Sequence, residues 1–529
     1  MQLVHLSLTN FRNFIRLEMD FPPGPTLVVG PNAQGKTSLL EAIDYLVAAD
    51  SPRAGSDREL INFLVARQPD AFARIVAEFR RDDRASSRFA PGSGHPGGDR
   101  ASSRLRTPEG HPGGGRASSR LRTPEGHPGG DRASSRLRTP EGHPGGDRAS
   151  HPGGDRPQRI EVRLVTESPV PSTQAPDADR PAPRDGQPIV PDLASRPVWG
   201  SPDESLVQAE GDAPRDRRAG RWESQAARAG EGRLQKEILL NGVRRRASDL
   251  AGGFNAVLFL PDDLRIIEGP PSERRRLLDR TLSQADPSYS RALAEYGRVL
   301  TQRNALLRQG QERPFDARQL DAWEAQLVDL GAHLTRGRAL ALAELEHLAG
   351  PIHEALTGGG EQLRLAYLPS RLGRNSEGQL RLPLEAVVDW STLPVAAIAD
   401  ELRHALAEAR GAEIERGMTL VGPHRDDVRF VADGIDLRPY GSRGQNRTAM
   451  ISLRLAQAEW IHQRTAEWPV LLLDETLAEL DEARRRDVLE RIAVAPQAVL
   501  TAADANLFPA SFCQSATVWE LRGGRLKRA

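Results

Sequence analysis

The chain has 529 residues with 72 Lys and Arg against 72 Asp and Glu, so its formal net charge is zero and no overall charge excess indicates a nucleic-acid or membrane partner. Its 38% hydrophobic and 27% charged residues and its one cysteine, Cys513, are typical of a soluble chain from a reducing compartment and exclude an internal disulfide. The N-terminus lacks a secretion-signal pattern, and no apolar run approaches the roughly 18 residues of a membrane span, which predicts a cytoplasmic protein.

A phosphate-binding loop follows the second predicted strand. Residues 3–8 and 26–29 are predicted strands, and the pattern G-x-x-x-x-G-K-[ST] begins directly after the second of them. The loop and the residue after it are Gly30, Pro31, Asn32, Ala33, Gln34, Gly35, Lys36, Thr37 and Ser38. In such a loop, backbone N–H groups face phosphate oxygens, Lys36 would reach the β- and γ-phosphates, and Thr37 would help to hold Mg²⁺. An ordinary glycine-rich turn is the alternative, but the strand before the loop and the helical pattern after it favour an ATP site.

An array of 16-residue repeats interrupts the next part of the chain. The repeats begin at Arg84, Arg100, Arg116, Arg132 and Arg148. Each holds at most one large apolar residue among Gly, Pro, Ser and Arg, too little for a core, so residues 82–158 are predicted to be disordered. The flanking residues 73–79 and 159–165 largely alternate polar and apolar side chains, which predicts that the array interrupts a β-hairpin. Residues 167–233, rich in Pro, Ala, Asp and Arg, are a second predicted disordered segment.

The later part of the chain changes from strands to helices and back. Residues 238–240 and 257–260 are predicted strands, and Asn241-Gly242 supplies a tight hairpin turn after the first. From residue 272 to about residue 410, apolar residues recur every three or four positions, which predicts a helical domain. Strand patterns return at residues 418–421, 470–473 and 498–500. A helical domain is therefore predicted to interrupt an α/β domain whose sheet contains strands from both ends of the chain.

Two adjacent acids, Asp474 and Glu475, end the apolar strand at residues 470–473. Ligands of open α/β sheets bind at the carboxyl ends of the strands. Asp474 would hold Mg²⁺ through its water shell, and Glu475, which strand alternation points the other way, would polarise the attacking water. An exposed acidic loop is the alternative, and the phosphate-binding loop favours a hydrolytic ATP site.

A small-residue loop opens a predicted helix some 25 residues before the acidic strand. Its residues Ser442, Gly444 and Gln445 form a Ser-x-Gly-Gln signature. Together with the phosphate-binding loop and the acidic strand, the signature resembles that of the ABC-type ATPases. The resemblance implies that the signature of one subunit completes the γ-phosphate site of another, so that two chains are needed for hydrolysis. A plain helix cap at Ser442 is the alternative.

Further motifs resemble the RecF family of recombination mediators. They are Asn10-Phe11-Arg12-Asn13-Phe14, Gln302-Arg303-Asn304-Ala305-Leu306-Leu307, Gly422-Pro423-His424-Arg425-Asp426-Asp427, Ser442-x-Gly444-Gln445-x-Arg447-Thr448 and Leu480-Asp481. The resemblance covers nearly all of the chain outside the two predicted insertions. It implies that Arg12 contacts ATP, that Lys36, Asp474 and Glu475 are catalytic, and that Asp481 belongs to the D-loop.

The RecF resemblance implies an ATP-dependent DNA-binding homodimer with ATP and Mg²⁺ as cofactors. It would act at gapped DNA or single-strand/double-strand junctions, with RecR and RecO, and would help to load RecA where single-strand-binding protein competes. We expect a cytoplasmic, nucleoid-associated protein with no membrane partner. Pro261-Asp262-Asp263 stands in the place of the superfamily's Gln-loop and Thr501 in that of its switch histidine, and loss of that histidine implies slow hydrolysis.

The predicted fold is therefore α/β, an ABC-type P-loop ATPase head with an inserted α-helical arm and two long disordered insertions. The head is assigned residues 1–81, 159–166, 234–271 and 411–529, the arm residues 272–410, and the insertions residues 82–158 and 167–233.

Several alternatives to this assignment differ in their sequence requirements. A GTPase is excluded because none of the three lysines lies in an Asn/Thr-Lys-x-Asp pattern. A transporter subunit, another SMC-like ATPase, or an ATP-binding DNA scaffold with negligible hydrolysis remains open. The repeat histidines lack the paired ligands of a metal site. The arginine runs at residues 244–246 and 274–276 are either DNA contacts or solvated faces.

Overall fold

The computed structural model describes residues 1–68, 70–81, 157–166, 234–313, 316–370 and 389–529, all of which fall in one compact unit. Residues 82–156 and 167–233, which are predicted to be disordered, lie outside the described residues. Residues 157 and 158, at the end of the first predicted insertion, are described, and the prediction of disorder was wrong for Gln158, which begins a strand.

An antiparallel sheet begins the fold. Its strands, in chain order, are β1 (Gln2–Phe11), β2 (Phe14–Asp20), β4 (Phe72–Arg80), β5 (Gln158–Thr166), β6 (Leu234–Leu240) and β7 (Val243–Arg245). They are arranged in the order β2-β1-β4-β5-β6-β7. The predicted turn between β6 and β7 is confirmed, because Asn241 and Gly242 both have positive φ angles, 51° and 80°.

A second sheet gathers strands from both ends of the chain, as predicted. Its members are β3 (Gly24–Val29), β8 (Ala256–Phe259), β12 (Val470–Asp474), β13 (Gln497–Ala502), β14 (Thr517–Arg522) and β15 (Arg525–Arg528). The order is β15-β14-β3-β13-β12-β8, and all pairings except β14–β15 are parallel. The carboxyl ends of β3, β12 and β13 therefore meet at one edge, where a parallel sheet binds its ligands.

Helix α1 (Lys36–Ala48) packs between the two sheets. Its Leu39 and Ile43 share a core with Leu6 of β1 and Leu472 of β12. The opposite face of the second sheet, including Leu471, packs on the helices of the later chain in another core. Both faces of β12 are thus buried, which explains why its sequence is continuously apolar.

Helices occupy most of the chain between the two halves of the second sheet. They are α2 (Leu264–Glu268), α3 (Pro271–Ala285), α4 (Pro287–Glu312), α5 (Asp321–Leu356), α6 (Val395–Arg416), α7 (Leu437–Tyr440) and α8 (Arg443–Thr465), with α9 (Glu482–Ile492) and α10 (Ala510–Ser515) following β12 and β13. The predicted apolar faces are confirmed in α4, where Tyr289 and Tyr296 are buried, and in α5, where Leu327 and Leu334 are buried.

Two predictions in this region were wrong. The predicted helical range contains a strand, β9 (Leu363–Leu368), which pairs with β10 (Asp427–Ala432), and β10 pairs in turn with β11 (Ile435–Asp436). Residues 418–421 form a loop and not the predicted strand. The reason is that side chains take up their backbone donors: the Thr419 N–H donates to Asn304 Oδ1 (2.8 Å) and the Leu420 N–H to Glu413 Oε1 (2.7 Å).

The two strands that flank the repeats, β4 and β5, are joined by their own contacts. β4 and β5 pair antiparallel, with Phe79 opposite Gln158. Next to this point, Arg81 Nη2 lies 2.8 Å from Oε2 of the buried Glu467. In the middle of the pair, Glu161 Oε1 accepts hydrogen bonds from Arg74 (2.8 Å) and Arg163 (2.6 Å). These contacts, and the hydrogen bond from Arg74 most of all, lower the pKa of Glu161 to about 2.

Deleting residues 85–156, so that Arg84 joins Pro157, is expected to leave folding and ATPase activity nearly intact. The ends of β4 and β5 already lie side by side, and closing a shorter loop costs less chain entropy. The thermal midpoint of the deletion variant should stay unchanged or rise when measured against the full chain. A cooperative loss of structure on deletion would show that the repeats stabilise the core.

Candidate active site

The phosphate-binding loop lies between β3 and α1, and its two glycines are required by close backbone approaches. Gly35 has a φ angle of 108°, and a Cβ there would lie 2.4 Å from Asn13 Nδ2. A Cβ on Gly30 would lie 2.3 Å from the Leu521 carbonyl oxygen. Any larger residue at either position would move the loop away from its neighbours.

Hydrogen bonds fasten the loop from two sides. Asn13 Nδ2 donates to the Gln34 carbonyl oxygen (2.9 Å), and the Gly523 N–H donates to Gln34 Oε1 (2.6 Å). The first contact comes from the turn between β1 and β2, and the second from the turn between β14 and β15. The loop is therefore held in one conformation at the carboxyl edge of the second sheet.

Lys36 is buried at the start of α1, with 4% of its side chain exposed. Its ammonium group donates to the carbonyl oxygens of Gly30 (2.6 Å) and Pro31 (2.9 Å) and lies 2.9 Å from Glu475 Oε1. The structure thus brings together the predicted phosphate-binding lysine and the predicted catalytic glutamate.

Thr37 and Asp474, the two predicted metal ligands, are also in contact. The Thr37 hydroxyl donates to Asp474 Oδ2 (2.7 Å), and the hydroxyl of Thr501 donates to Asp474 Oδ1 (2.8 Å). Burial raises the pKa of Asp474, and the two hydroxyl donors oppose this rise. Mg²⁺ in proteins commonly takes one or two carboxylates together with substrate phosphates, so this hydroxyl and carboxylate fit such an ion.

The direction of the Glu475 side chain is set by a left-handed backbone turn and not, as predicted, by the alternation of a regular strand. β12 ends at Asp474, and Glu475 adopts a left-handed conformation with φ 48°. Its N–H donates to the carbonyl and hydroxyl oxygens of Thr501, each at 3.2 Å. This turn presents the carboxylate to Lys36 while leaving 33% of the side chain exposed.

A cavity of about 370 Å³ opens above these residues. It is lined by Asn13, Asn32, Ala33, Gly35, Lys36, Thr37, Ser38, Arg53 and Glu475. Arg53 was missed by the sequence interpretation, because it lies in a loop after α1 that matches no motif. Its positive charge helps to lower the pKa of Asp474, so it adds to the electrostatics of the same site.

Arg12, which is predicted to contact ATP, lines a neighbouring cavity and does not line the phosphate cavity. Its guanidinium forms two hydrogen bonds with Glu41, of 2.9 and 2.6 Å, and Glu41 is fully buried on α1. The neighbouring cavity, of about 410 Å³, is also lined by Ser38, Arg53 and Asp262. Asp262, in the place of the Gln-loop, therefore reaches the surroundings of the phosphate loop.

The signature residues lie apart from the phosphate cavity, since none of them is among the residues that line that cavity. Ser442 caps α8 in a reciprocal pair with Gln445: its hydroxyl accepts from the Gln445 N–H (3.2 Å), and Gln445 Oε1 accepts from the Ser442 N–H (3.0 Å). A Cβ on Gly444 would meet nothing closer than 3.9 Å. Tyr440, just before the signature, is 76% exposed.

Asp481, the predicted D-loop residue, caps α9. Its Oδ1 accepts a hydrogen bond from the Arg484 N–H (2.9 Å). Like the signature residues, it does not line the phosphate cavity of its own chain.

Replacing Asp474 by Asn is expected to stabilise the protein while lowering Mg²⁺-dependent hydrolysis. The raised pKa of Asp474 means that its charged form is disfavoured by burial, so a neutral residue of the same size relieves that cost. The thermal midpoint should therefore rise above that of the native chain. The difference from the native chain should shrink as the pH falls through the raised pKa, because the native carboxyl is then protonated. A lower midpoint at neutral pH would contradict this account.

Within the described ranges, no group of three or more His, Cys, Asp or Glu side chains could hold a metal ion. Of the helices in the same ranges, none is long and apolar enough to cross a membrane.

Comparison with known proteins points to one family. A family model described as an AAA domain matches residues 5–92. The DNA replication and repair protein RecF of Chloroflexus aurantiacus is 32% identical, over 99% of this chain and 99% of its own length. RecF of Roseiflexus castenholzii is 33% identical with the same coverage. A solved structure of the recombination mediator protein RecF with ATP, in the RecFOR pathway, matches with a TM-score of 0.64 and 21% identity, over 100% of this chain and 97% of that one. The predicted α/β fold and the resemblance to the RecF family are confirmed.

Proposed function

Because the chain belongs to the RecF family of DNA replication and repair proteins, we propose that it is an ATP-dependent DNA-binding protein that dimerises on ATP. The contact between Lys36, Thr37, Asp474 and Glu475 carries the ATP part of this proposal, since a phosphate loop and an acidic strand end meet there. The DNA part rests on the family.

ATP would bind with its phosphates in the cavity over the loop. The fixed loop offers backbone N–H groups and the N-terminus of α1, and Lys36 adds a buried positive charge. Mg²⁺, held by Thr37 and Asp474, would neutralise phosphate charge and polarise the γ-phosphate. Arg53, at the rim of the same cavity, would add a further positive charge.

Glu475 would act as the general base toward the attacking water. Its carboxylate is partly exposed, lies beside Lys36, and is held by a backbone turn whose N–H bonds to Thr501. Thr501, which the resemblance puts in the place of the switch histidine, lies within β13, binds Asp474 and offers no imidazole. A hydroxyl is a poorer proton carrier than an imidazole near neutral pH, which supports slow hydrolysis.

The signature would complete the site from a second chain. Ser442 and the backbone N–H groups of Arg443 and Gly444, which lie between the two bonds of the cap, would form an anion-binding helix end, and the open space at Gly444 allows close approach. Since these residues do not line the phosphate cavity of their own chain, a second copy is the natural source of the γ-phosphate that they bind. ATP would then join two chains, and hydrolysis would release them.

The proposed role extends to recombinational repair. The solved relatives are described as recombination mediators of the RecFOR pathway, which supports RecO and RecR as partners. With them, this protein would bind gapped DNA or single-strand/double-strand junctions on the nucleoid and help to load RecA.

The ATPase rate, with and without gapped DNA, tests this function on the full chain. We expect slow hydrolysis that gapped DNA stimulates, together with ATP-dependent dimers in sedimentation measurements. Nucleotide binding without measurable turnover, at any DNA concentration, would instead favour a non-hydrolytic scaffold. Association with membrane vesicles would favour a transporter subunit.

A further inference from the structure

A groove of about 480 Å³ lies between α3 and α4, where these helices meet the end of α1. No residue that lines the phosphate cavity also lines this groove. The end of α1 contributes Ala48 and Asp50 to its wall, and Arg338 and His424 also line it. The groove is therefore distinct from the phosphate cavity, but it adjoins the same helix, and its Arg276 and Arg280 also line the neighbouring cavity that holds Arg12.

One face of α3 forms a polar wall of the groove. Its members recur at spacings of three and four positions, so they share one side of the helix. They are Ser272, Arg275, Arg276, Asp279, Arg280 and Ser283. The wall thus presents guanidinium and hydroxyl donors, which are the groups that bind phosphate oxygens.

The charges of the groove leave a positive excess. Four arginines line it against two aspartates, and one of those, Asp279, is taken up by Arg338 at 2.8 and 2.9 Å. Arg280 is likewise paired, with Asp44 on α1 at 2.7 Å. His424 adds no charge near neutral pH, because burial lowers its pKa to about 4.

Arg275 and Arg276 are the groove arginines without a close ion pair among the described residues. Arg275 Nη1 donates to the Asp426 carbonyl oxygen (2.7 Å), which leaves other donors of the guanidinium available. Burial and the nearby charge of Arg338 lower the pKa of Arg275, and the carboxylates of Asp426, Asp427 and Asp279 oppose this shift. Arg276 is exposed, and its Nη1 lies 3.9 Å from Glu273 Oε2, a weak pairing.

The opposite wall, on α4, is apolar and open. It consists of Leu293, Tyr296, Gly297 and Leu300. A Cβ on Gly297 would meet nothing within 4 Å, so this glycine widens the groove. The polar wall on α3 suits the phosphates of a ligand, and the apolar wall on α4 suits its sugars.

We propose that this groove binds the sugar-phosphate backbone of DNA, with Arg275 and Arg276 as phosphate contacts. The inference rests on the proposed DNA-binding function and assigns it a site. A free phosphate would use the donors but would leave the apolar wall uncovered. DNA bound there would contact α3, which holds α1 of the ATP site through the Arg280–Asp44 pair.

The affinity of the full chain for a gapped duplex, measured with ATP by fluorescence anisotropy at several salt concentrations, tests the charge requirement. Arg275→Ala/Arg276→Ala is expected to weaken binding about tenfold and to lower the slope of log affinity against log salt by about 2. The matched control is Arg318→Ala/Arg403→Ala, which removes the same charge from two exposed residues that do not line the groove. It should bind DNA within about twofold of the native chain.

A second variant tests the shape of the groove without changing its charge. Gly297→Leu would project a side chain into the groove, and it should also weaken DNA binding while the salt slope stays near the native value. Gly411→Leu on α6 is its control, because a Cβ there also meets nothing within 4 Å. Circular dichroism and thermal midpoints establish that all four variants fold.

The inference requires both groove variants to bind DNA more weakly than their controls. Equal losses in groove and control variants would show a dependence on net charge alone and would overturn it. Loss in only one groove variant, or in neither, would place the contact elsewhere and would also overturn it. If millimolar inorganic phosphate competes for the groove as well as DNA does, the ligand is a free anion and not a backbone. If the native chain binds no DNA, the proposed DNA-binding function is wrong, and this inference is then wrong as well.

Discussion

Glu475→Gln is expected to slow ATP hydrolysis by about 100-fold or more while leaving ATP affinity nearly unchanged. The amide keeps the size of the side chain beside Lys36 but cannot accept a proton from water. Because hydrolysis is proposed to release the two chains, the variant should also accumulate as an ATP-bound dimer. Single-turnover hydrolysis, nucleotide titration and sedimentation measure these three quantities.

The matched control for this variant is Glu490→Gln, which makes the same change on the exposed surface of α9. It should hydrolyse ATP at the native rate. Normal turnover by Glu475→Gln would mean that another group activates the water.

Ser442→Arg is expected to abolish ATP-dependent dimerisation and hydrolysis together. An arginine would fill the open approach beside Gly444 and would place a positive charge at the positive end of α8. Binding of ATP to the monomer should persist, because Ser442 does not line the phosphate cavity. The loss of the cap should cost only about 1 kcal/mol of stability.

Ser515→Arg introduces the same side chain at an exposed serine that ends α10 and should leave dimerisation unchanged. If Ser442→Arg hydrolyses ATP normally as a monomer, the signature has no part in the site.

The sequence predicts the centre of the site well because each of its parts is local. The phosphate loop needs two glycines, a lysine and a threonine at fixed spacing between a strand and a helix, and β12 is apolar on both faces until Asp474. The parallel sheet then brings these distant segments together, since strands that share a sheet align their carboxyl ends.

Other parts of the site depend on contacts between distant segments and were not predictable. Arg53 reaches the phosphate cavity from a loop with no motif, and Asn13 holds Gln34 across the start of the chain.

Two parts of the fold were also mispredicted. Residues 418–421 have an apolar pattern that suggests a strand, but the side chains of Asn304 and Glu413 accept hydrogen bonds from their backbone N–H groups. Strand β9 was missed although Leu363, Leu365 and Tyr367 alternate with exposed or half-buried residues, because helical patterns surround it.

Two chains are proposed to share each ATP site, and mixing two inactive variants tests this arrangement most directly. Lys36→Met should not bind ATP, because it lacks the buried cation of the loop, and Ser442→Arg should bind ATP without hydrolysing it. In a mixed dimer, the intact loop of the Ser442→Arg chain faces the intact signature of the Lys36→Met chain. Hydrolysis is therefore predicted to return on mixing. If differently labelled chains show that mixed dimers form and yet no ATP is hydrolysed, the shared site is contradicted.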